Sequence, residues 1–276
     1  MTPNHHEIGI GATPELSLRV SIATLVRVLF QHPNNGELML ALERKATLRE
    51  GEDGRTVKIK SQPFGGAIRI LNLNALGNLL GDFHFDSERS LVEQDFRIFI
   101  RPKAWSVLRE FCLKHIKLDH DLILETSPRR ELVEEFTETL GVNLKSEQYG
   151  CRPITTFVEN EAARTGNMYA RGILTVRVYR IFEASITDSS LADVMLKGSN
   201  SLSHQNLCEL AFADAQNGGR GAANAILALP WKRLQGVYQS APPAARDLPV
   251  IFDGNQLDVT VSAMFEEIAA PRYQRV

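Results

Sequence analysis

The segment Arg129-Arg130-Glu131-Leu132-Val133-Glu134-Glu135-Phe136 carries the densest group of residues able to do chemistry. On a helix, positions three and four apart share a face. Glu131, Glu134 and Glu135 then bring three carboxylates into one small region, while Leu132 and Phe136 turn to the core. Three anions that close repel one another unless a cation lies nearby. Hard oxygen ligands of this kind suit Mg²⁺ or Mn²⁺, which keep several waters and take phosphate oxygens as further ligands. Glutamate-rich helix faces also occur as plain solvated surfaces with weak ion pairs, so the charges alone leave both readings open.

The elements that must position this helix are partly readable. Ser127 followed by Pro128 fits an N-cap with proline at the first helical position, and Gly141 fits the left-handed residue past the end. Upstream, SIATLVRVLF (21–30) and ELMLAL (37–42) flank HPNNG, whose Asn35-Gly36 favours a tight hairpin turn. Residues 43–55 are charged and contain glycine, which predicts a mobile loop. VKIK then forms a short strand running into Gln62-Pro63-Phe64-Gly65-Gly66, where paired glycines mean a turn or a close backbone approach to a ligand.

Residues 67–95 are weakly patterned, and FRIFI (96–100) has strand character. Trp105, Leu108, Phe111, Cys112, His115 and Ile116 recur at helical spacing over 103–117, with His115 read as a packed histidine. Strands are predicted at 153–159 and 172–184, a loop with one helical turn at 188–206, and a helix broken at Pro230 over 221–239. LDVTVSAMF (257–265) reads as a late strand and APPAAR (241–246) as a linker. Strands and helices mixed without regular βαβ alternation indicate an α+β fold.

Composition sets the outer bounds. The 276 residues carry 31 Lys+Arg against 33 Asp+Glu, so no basic excess exists to drive sequence-independent binding to nucleic acid or an anionic membrane. Three widely spaced cysteines, Cys112, Cys151 and Cys208, make neither a disulfide framework nor a zinc ribbon, which suits a reducing compartment. The opening residues lack the basic start and apolar core of a signal peptide, and no run approaches the roughly 18 apolar residues of a membrane span. The expected location is the cytoplasm.

Arg130-Glu131-Leu132-x-Glu134-Glu135 resembles the REUxEE core of the Nudix box, where U is aliphatic, in both charge order and aliphatic position. A hairpin ending in LMLALER and followed by PFGGA resembles the strand and glycine stretch that precedes the Nudix helix. Strands at 153–159 and 172–184 fall where that family's sheet continues, so the likeness covers about residues 20–240 in outline. The chain departs from the pattern in three places. Gly66 precedes Arg130 by 64 positions, so an insertion spanning about 67–125 splits the box. Thr137 stands where the box has glycine. Glu125, the nearest counterpart of the upstream glutamate, lies five positions before Arg130. The split box, PFGGA and QDFRIFI look like the divergent SMODS-associated Nudix group, which is linked to prokaryotic nucleotide-signalling and antiviral loci.

The resemblance implies a Nudix-like α/β/α sandwich with a mixed sheet over residues 21–240, an N-terminal arm at 1–20, and a linker and appendage at 241–276. It implies Mg²⁺- or Mn²⁺-dependent hydrolysis of a pyrophosphate bond in a nucleoside di- or triphosphate, or in a nucleoside diphosphate linked to another group. Glu131, Glu134 and Glu135 would be the metal ligands, with the Gly66 carbonyl beside them. Arg130 would orient the glutamates, and Arg97, Gly65 and Gly66 would lie against the substrate. Glu209 or Asp214 would supply a late acidic group. Phe64, Tyr149, Tyr169 and Trp231 would stack on a base, although each residue of this kind is more often simply packed. His5 and His6 are expected to be inert. Family members often form homodimers. The alternative is a nucleotide-sensing module without turnover, and a third reading is an interaction module whose acidic helix is only surface.

Overall fold

The computed structural model describes residues 8–51, 54–118, 120–165, 167 and 169–276, so His5 and His6 lie outside the described residues. In chain order the first elements are β1 (Ile8–Ile10), β2 (Leu18–Gln31), β3 (Leu38–Gly51), β4 (Gly54–Gln62), α1 (Leu73–Leu80), β5 (Phe83–Phe85), α2 (Glu88–Glu93), β6 (Arg97–Ile100) and α3 (Trp105–His115). There follow α4 (Arg129–Leu140), β7 (Tyr149–Glu159), β8 (Ala163–Arg164), β9 (Leu174–Ile186), α5 (Ser189–Ser201) and α6 (His204–Gln216). The chain ends with β10 (Ala222–Pro230), α7 (Trp231–Ser240), β11 (Val250–Phe252), β12 (Asn255–Leu257) and β13 (Tyr273–Arg275). The fold is mixed α+β around a large mixed sheet, in agreement with the sequence.

Strand β2 is buried along nearly its whole length, as its run of Val, Ile and Leu requires of a central strand. One edge pairs in parallel with β9 from Leu18↔Leu174 to Leu29↔Ser185. The other edge is shared. Its start pairs with β6 (Leu18↔Ile100 to Ser21↔Arg97) and its end with β3 (Val28↔Ala41 to Gln31↔Leu38). Between them lies the stretch around Phe64 and Ala67, bridged to Val26 and Ala23.

Alternation along the strands sends side chains to two faces. On one face Val26, Val28, Met39 and Ala41 pack with Leu132 and Phe136 of α4 and with Leu191 and Met195 of α5. On the other, Leu25, Leu40 and Leu42 pack with Leu234 of α7 and with Phe252, Val261 and Met264 of the C-terminal stretch. That stretch also pairs strands: β12 with β4 at Leu257↔Ser61, and β13 with β7 from Tyr273↔Glu159.

The predicted hairpin is present, with Gly36 at φ 70° in its turn. Four readings are corrected. The described part of the charged stretch 43–55 is no loop: residues 43–51 extend β3 and 54–55 begin β4, paired from Glu43↔Gln62 to Gly51↔Gly54. Alternating charged residues suit a ribbon with solvent access, and their composition imitates a loop. Residues 188–206 hold α5 and the start of α6, capped by Asp188 and Ser203. Residues 222–230 form strand β10 against β3, and helix begins only after Pro230. Instead of a late strand, 259–264 is a 3₁₀ helix capped by Asp258. No helix among the described residues is long and apolar enough to cross a membrane.

A buried ion pair ties the two halves of this packing together. Arg27 on β2 bonds Glu183 of β9 at 2.5 Å and the Met264 carbonyl at 2.9 Å. Arg152 bonds the second oxygen of Glu183 at 2.8 Å. Glu183→Ala leaves Arg27 buried beside a void and is expected to cost about 3–5 kcal/mol in urea unfolding. A loss below about 1 kcal/mol would show that this pair does not hold the C-terminal stretch to the sheet.

Candidate functional site

Helix α4 is two-sided by design of its spacing. Leu132 and Phe136 are fully buried, and Phe136 meets the ring of Phe64 at 5.1 Å between centroids. Each such side chain stabilises the fold by about 1.5–3 kcal/mol. At the start of the helix Pro128 takes the cap position, one residue later than the spacing predicts, and the Ser127 hydroxyl accepts from the Arg129 N–H at 3.3 Å. Gly141 closes the helix at φ 66°, donating to the Phe136 and Thr137 carbonyls.

The opposite side of α4 carries a tight charge network. Arg130 donates to Glu125 at 2.7 Å, Glu131 at 2.6 Å and Glu134 at 3.2 Å. Burial works against the Arg130 charge, but these carboxylates outweigh it and hold its pKa above the ordinary value. Burial pushes Glu131 up despite Arg130, with Glu134 and Asp95 adding to the rise. Glu134 is exposed.

Glu135 reaches the glycine pair next to Glu131, whose carboxylate lies against Gly66 while that of Glu135 meets Gly65. As a residue Glu135 is half-buried, yet its carboxylate is closed in, accepting the Gly65 N–H at 2.5 Å. Burial and then the Glu43 carboxylate raise its pKa well above the usual range, against the pull of that N–H. Glu43 is a site residue the sequence reading missed. It is fully buried on β3, accepts from Gln62 at 3.0 Å and has one oxygen, Oε1, with no hydrogen-bond partner. Its signal was available: Met39, Ala41 and Glu43 share one face at spacing two, so a carboxylate falls on an inward-facing position.

Both glycines are required by close approach. Gly65 sits at φ 128°, and a Cβ there would run into the Thr24 carbonyl oxygen. A Cβ on Gly66 would run into the Glu131 carboxylate. The Gly66 carbonyl accepts from the Thr24 N–H at 3.0 Å and keeps a second lone pair.

An open cleft of about 150 Å³ lies beside this network, with Ala67 among its lining residues. Arg130, Glu131 and Glu134 form one wall. Arg69, Arg89 and Arg97, with Glu93 and Asp95, form the other. Arg97 pairs with Asp95 at 2.9 Å, and burial raises the Asp95 pKa despite Arg97. Arg69, Arg89 and Asp95 also escaped the sequence reading, because 67–95 shows no period to mark which side chains point inward.

Several other sequence candidates lie elsewhere. Glu209 bonds Gln205 on α6, and Asp214 accepts the Ala222 N–H at 3.1 Å; neither lines the cleft. Phe64 and Tyr149 are buried, Trp231 stacks on Phe265 at 4.3 Å, and Tyr169 is exposed outside the cleft. His115 packs on Phe111 and bonds Asp121 at 2.7 Å.

The donor set fits a hard divalent cation in chemistry: the carboxylates of Glu43 and Glu131 both repel that of Glu135, and Glu43 Oε1 makes no hydrogen bond, its ion-pair partner being the Lys45 ammonium at 3.5 Å. Among the described residues, however, no three acidic, histidine or cysteine side chains converge as a ready metal site.

A scan of protein-family models finds no match to the chain, and a search of curated proteins finds none. Among solved structures, a chain of the "Structure of T. brucei MERS1-RNA complex" is similar at 9% identity and a TM-score of 0.23. The match covers 79% of this chain and 54% of that one, so this chain spans about half the length of that neighbour. A score that low carries no argument about fold or function.

The raised Glu135 pKa has a consequence for stability. The folded state binds its proton more tightly than the unfolded chain, so the associated stability is full below the unfolded carboxylate pKa and is lost as pH rises. Glu135→Gln keeps the acceptor for Gly65 and removes the charge. Its Tm is expected to exceed that of the parent at pH 8 and to approach it at pH 4, measured by calorimetry. A lower Tm at pH 8 would mean that the ionised carboxylate stabilises the fold.

Proposed function

We propose that the chain is a Nudix-like, Mg²⁺-dependent hydrolase that cleaves a pyrophosphate bond in a nucleotide. The observation that carries this reading is the RELxEE helix itself. Its arginine is shared by Glu125, Glu131 and Glu134, its last glutamate is bonded to the Gly65 amide, and its charged side opens on an arginine-lined cleft. The Nudix-like sandwich is part of the same proposal, supported by helices on both faces of the sheet. The resemblance to the SMODS-associated group further suggests a role in prokaryotic nucleotide signalling or antiviral defence, in the cytoplasm.

Glu131, Glu134 and Glu135 would hold the cation, with the Gly66 carbonyl beside them. When bound, it supplies positive charge to the pyrophosphate oxygens. Arg130 fixes the carboxylates through charge-assisted bonds, since its planar fork serves several oxygens at once. Glu131 lines the cleft with its pKa raised by burial, which favours a group able to take a proton from water. Arg97 across the cleft would meet charge on the phosphates.

The second reading, nucleotide sensing without turnover, is favoured by the absence of a converged three-ligand set among the described residues. The two are separated by following phosphate, pyrophosphate and nucleoside monophosphate release from a nucleotide panel with Mg²⁺. The hydrolase is expected to lose its activity in EDTA, and Glu134→Gln to lower kcat/KM by about 100-fold. Tight nucleotide binding with no release, unchanged by EDTA, would replace the hydrolase with the sensor.

A further inference from the structure

Apart from Ala67, every side chain lining the cleft is charged. No aromatic ring and no large apolar side chain reaches it among the described residues. The rings able to take a base are engaged elsewhere: Phe64 packs against Phe136, Trp231 is stacked on Phe265, and Tyr149 is buried. Base recognition uses a flat apolar or aromatic face together with polar edges. This cleft has only charge.

The charge is sorted by wall. On the α4 wall the single arginine is already divided among three carboxylates. The facing wall carries three arginines, and they are not equivalent. Arg89 is committed to Glu93, with both carboxylate oxygens at 2.8 Å, and Arg97 is committed to Asp95 at 2.9 Å. Arg69 bonds only a backbone carbonyl, that of Glu93, through Nε at 3.1 Å, and has no ion pair among the described residues. Arg69 lines the cleft, and the terminal nitrogens of its fork have no acceptor among the described residues. A half-buried guanidinium in that state matches a phosphate, which it can bind through two parallel hydrogen bonds.

We propose that the site recognises its ligand by the phosphate chain and is indifferent to the base. The ligand class is a small molecule bearing an uninterrupted chain of phosphates. One phosphate lies at the carboxylate wall, the next is held by Arg69 with Arg97 beside it, and the organic group lies outside the cleft. This deepens the hydrolase reading and rests on it only for the carboxylate end.

The test is calorimetric titration of the whole chain in Mg²⁺ with inorganic tripolyphosphate, ATP, GTP, CTP, UTP and AMP, with turnover assayed separately. The four triphosphates are expected to bind within about threefold of one another and tripolyphosphate within about tenfold, with AMP at least about 100-fold weaker. Arg69→Ala should weaken all triphosphates alike by about tenfold, and Arg69→Lys should restore only part of the loss, because an ammonium keeps the charge but not the fork. Thermal melts verify that both variants are folded, and Arg97→Ala gives a second, smaller uniform loss if the Arg69 variants are not.

One nucleotide bound more than about tenfold tighter than the rest, no binding of tripolyphosphate, or an Arg69→Ala effect confined to one base would overturn the proposal. Binding of the expected pattern without turnover sinks the hydrolase reading and supports recognition of the phosphate chain. Turnover restricted to one base does the reverse. No binding of any compound overturns both.

Discussion

Thr24 N–H to the Gly66 carbonyl, Val26 N–H to Phe64 and Ile68 N–H to Ile22 lay the stretch 64–68 along the middle of β2. The same edge of β2 is taken by β6 before this stretch and by β3 after it, so the glycines have no freedom to slide. A slip of one residue would turn Phe64 away from Phe136 and put a side chain where the Glu131 carboxylate lies. The register of one short backbone pairing thereby sets where Gly65 offers its N–H to Glu135 and where Glu131 can sit. The cleft, the arginine wall and the buried glutamate pair are all placed with respect to that line.

The segment that separates Gly66 from Arg130 does more than fill sequence. Its strand β6 pairs with the start of β2, and α1 and α3 close a core in which Leu76, Phe83, Ile98 and Leu108 pack with Val20 and Ile22 of β2 and Val178 of β9. That packing makes a rigid support for Arg69 and Arg97 on one side of the cleft. Asp95 is bridged to Arg69 through the backbone and to Arg97 through the side chain, so the two arginines are spaced by the same turn. This cationic wall is tied to the lead-in of α4, where the Glu125 N–H donates to the Arg69 carbonyl at 2.9 Å and Ile70 is bridged to Leu124.

How much of this is legible in sequence follows from what is local. The α4 helix shows its stripe of Leu132 and Phe136, its carboxylate face and its glycine stop within a dozen residues, and the hairpin shows its Asn-Gly turn. Both are present in the structure. Strand β10 reads as helix because AANAILALP is aliphatic without alternation, as befits a strand covered on both faces, and periodicity alone does not separate that from a buried helix. The β3–β4 ribbon reads as loop because its exposed residues are charged. The inward position of Glu43 can be read from the spacing of Met39, Ala41 and Glu43, but its role, like that of Arg69, cannot. Each acquires its meaning from a partner far along the chain, Glu135 for one and the opposite cleft wall for the other, and no window of sequence contains both.

The energetic arrangement explains why such a site can persist. Glu43, Glu131 and Glu135 are crowded where water is scarce, and the raised pKa values of Glu131 and Glu135 mean that ionisation there opposes folding. The apolar side of the same helix supplies the compensation, since Leu132 and Phe136 are fully buried against Phe64 and the sheet. The stabilising and destabilising groups alternate along one element, so the helix cannot retreat from the repulsion without losing its core contacts. Rigid packing on one side holds charge in an unfavourable position on the other, and a cation or an anionic ligand entering from the cleft would find that electrostatic cost already met by the fold.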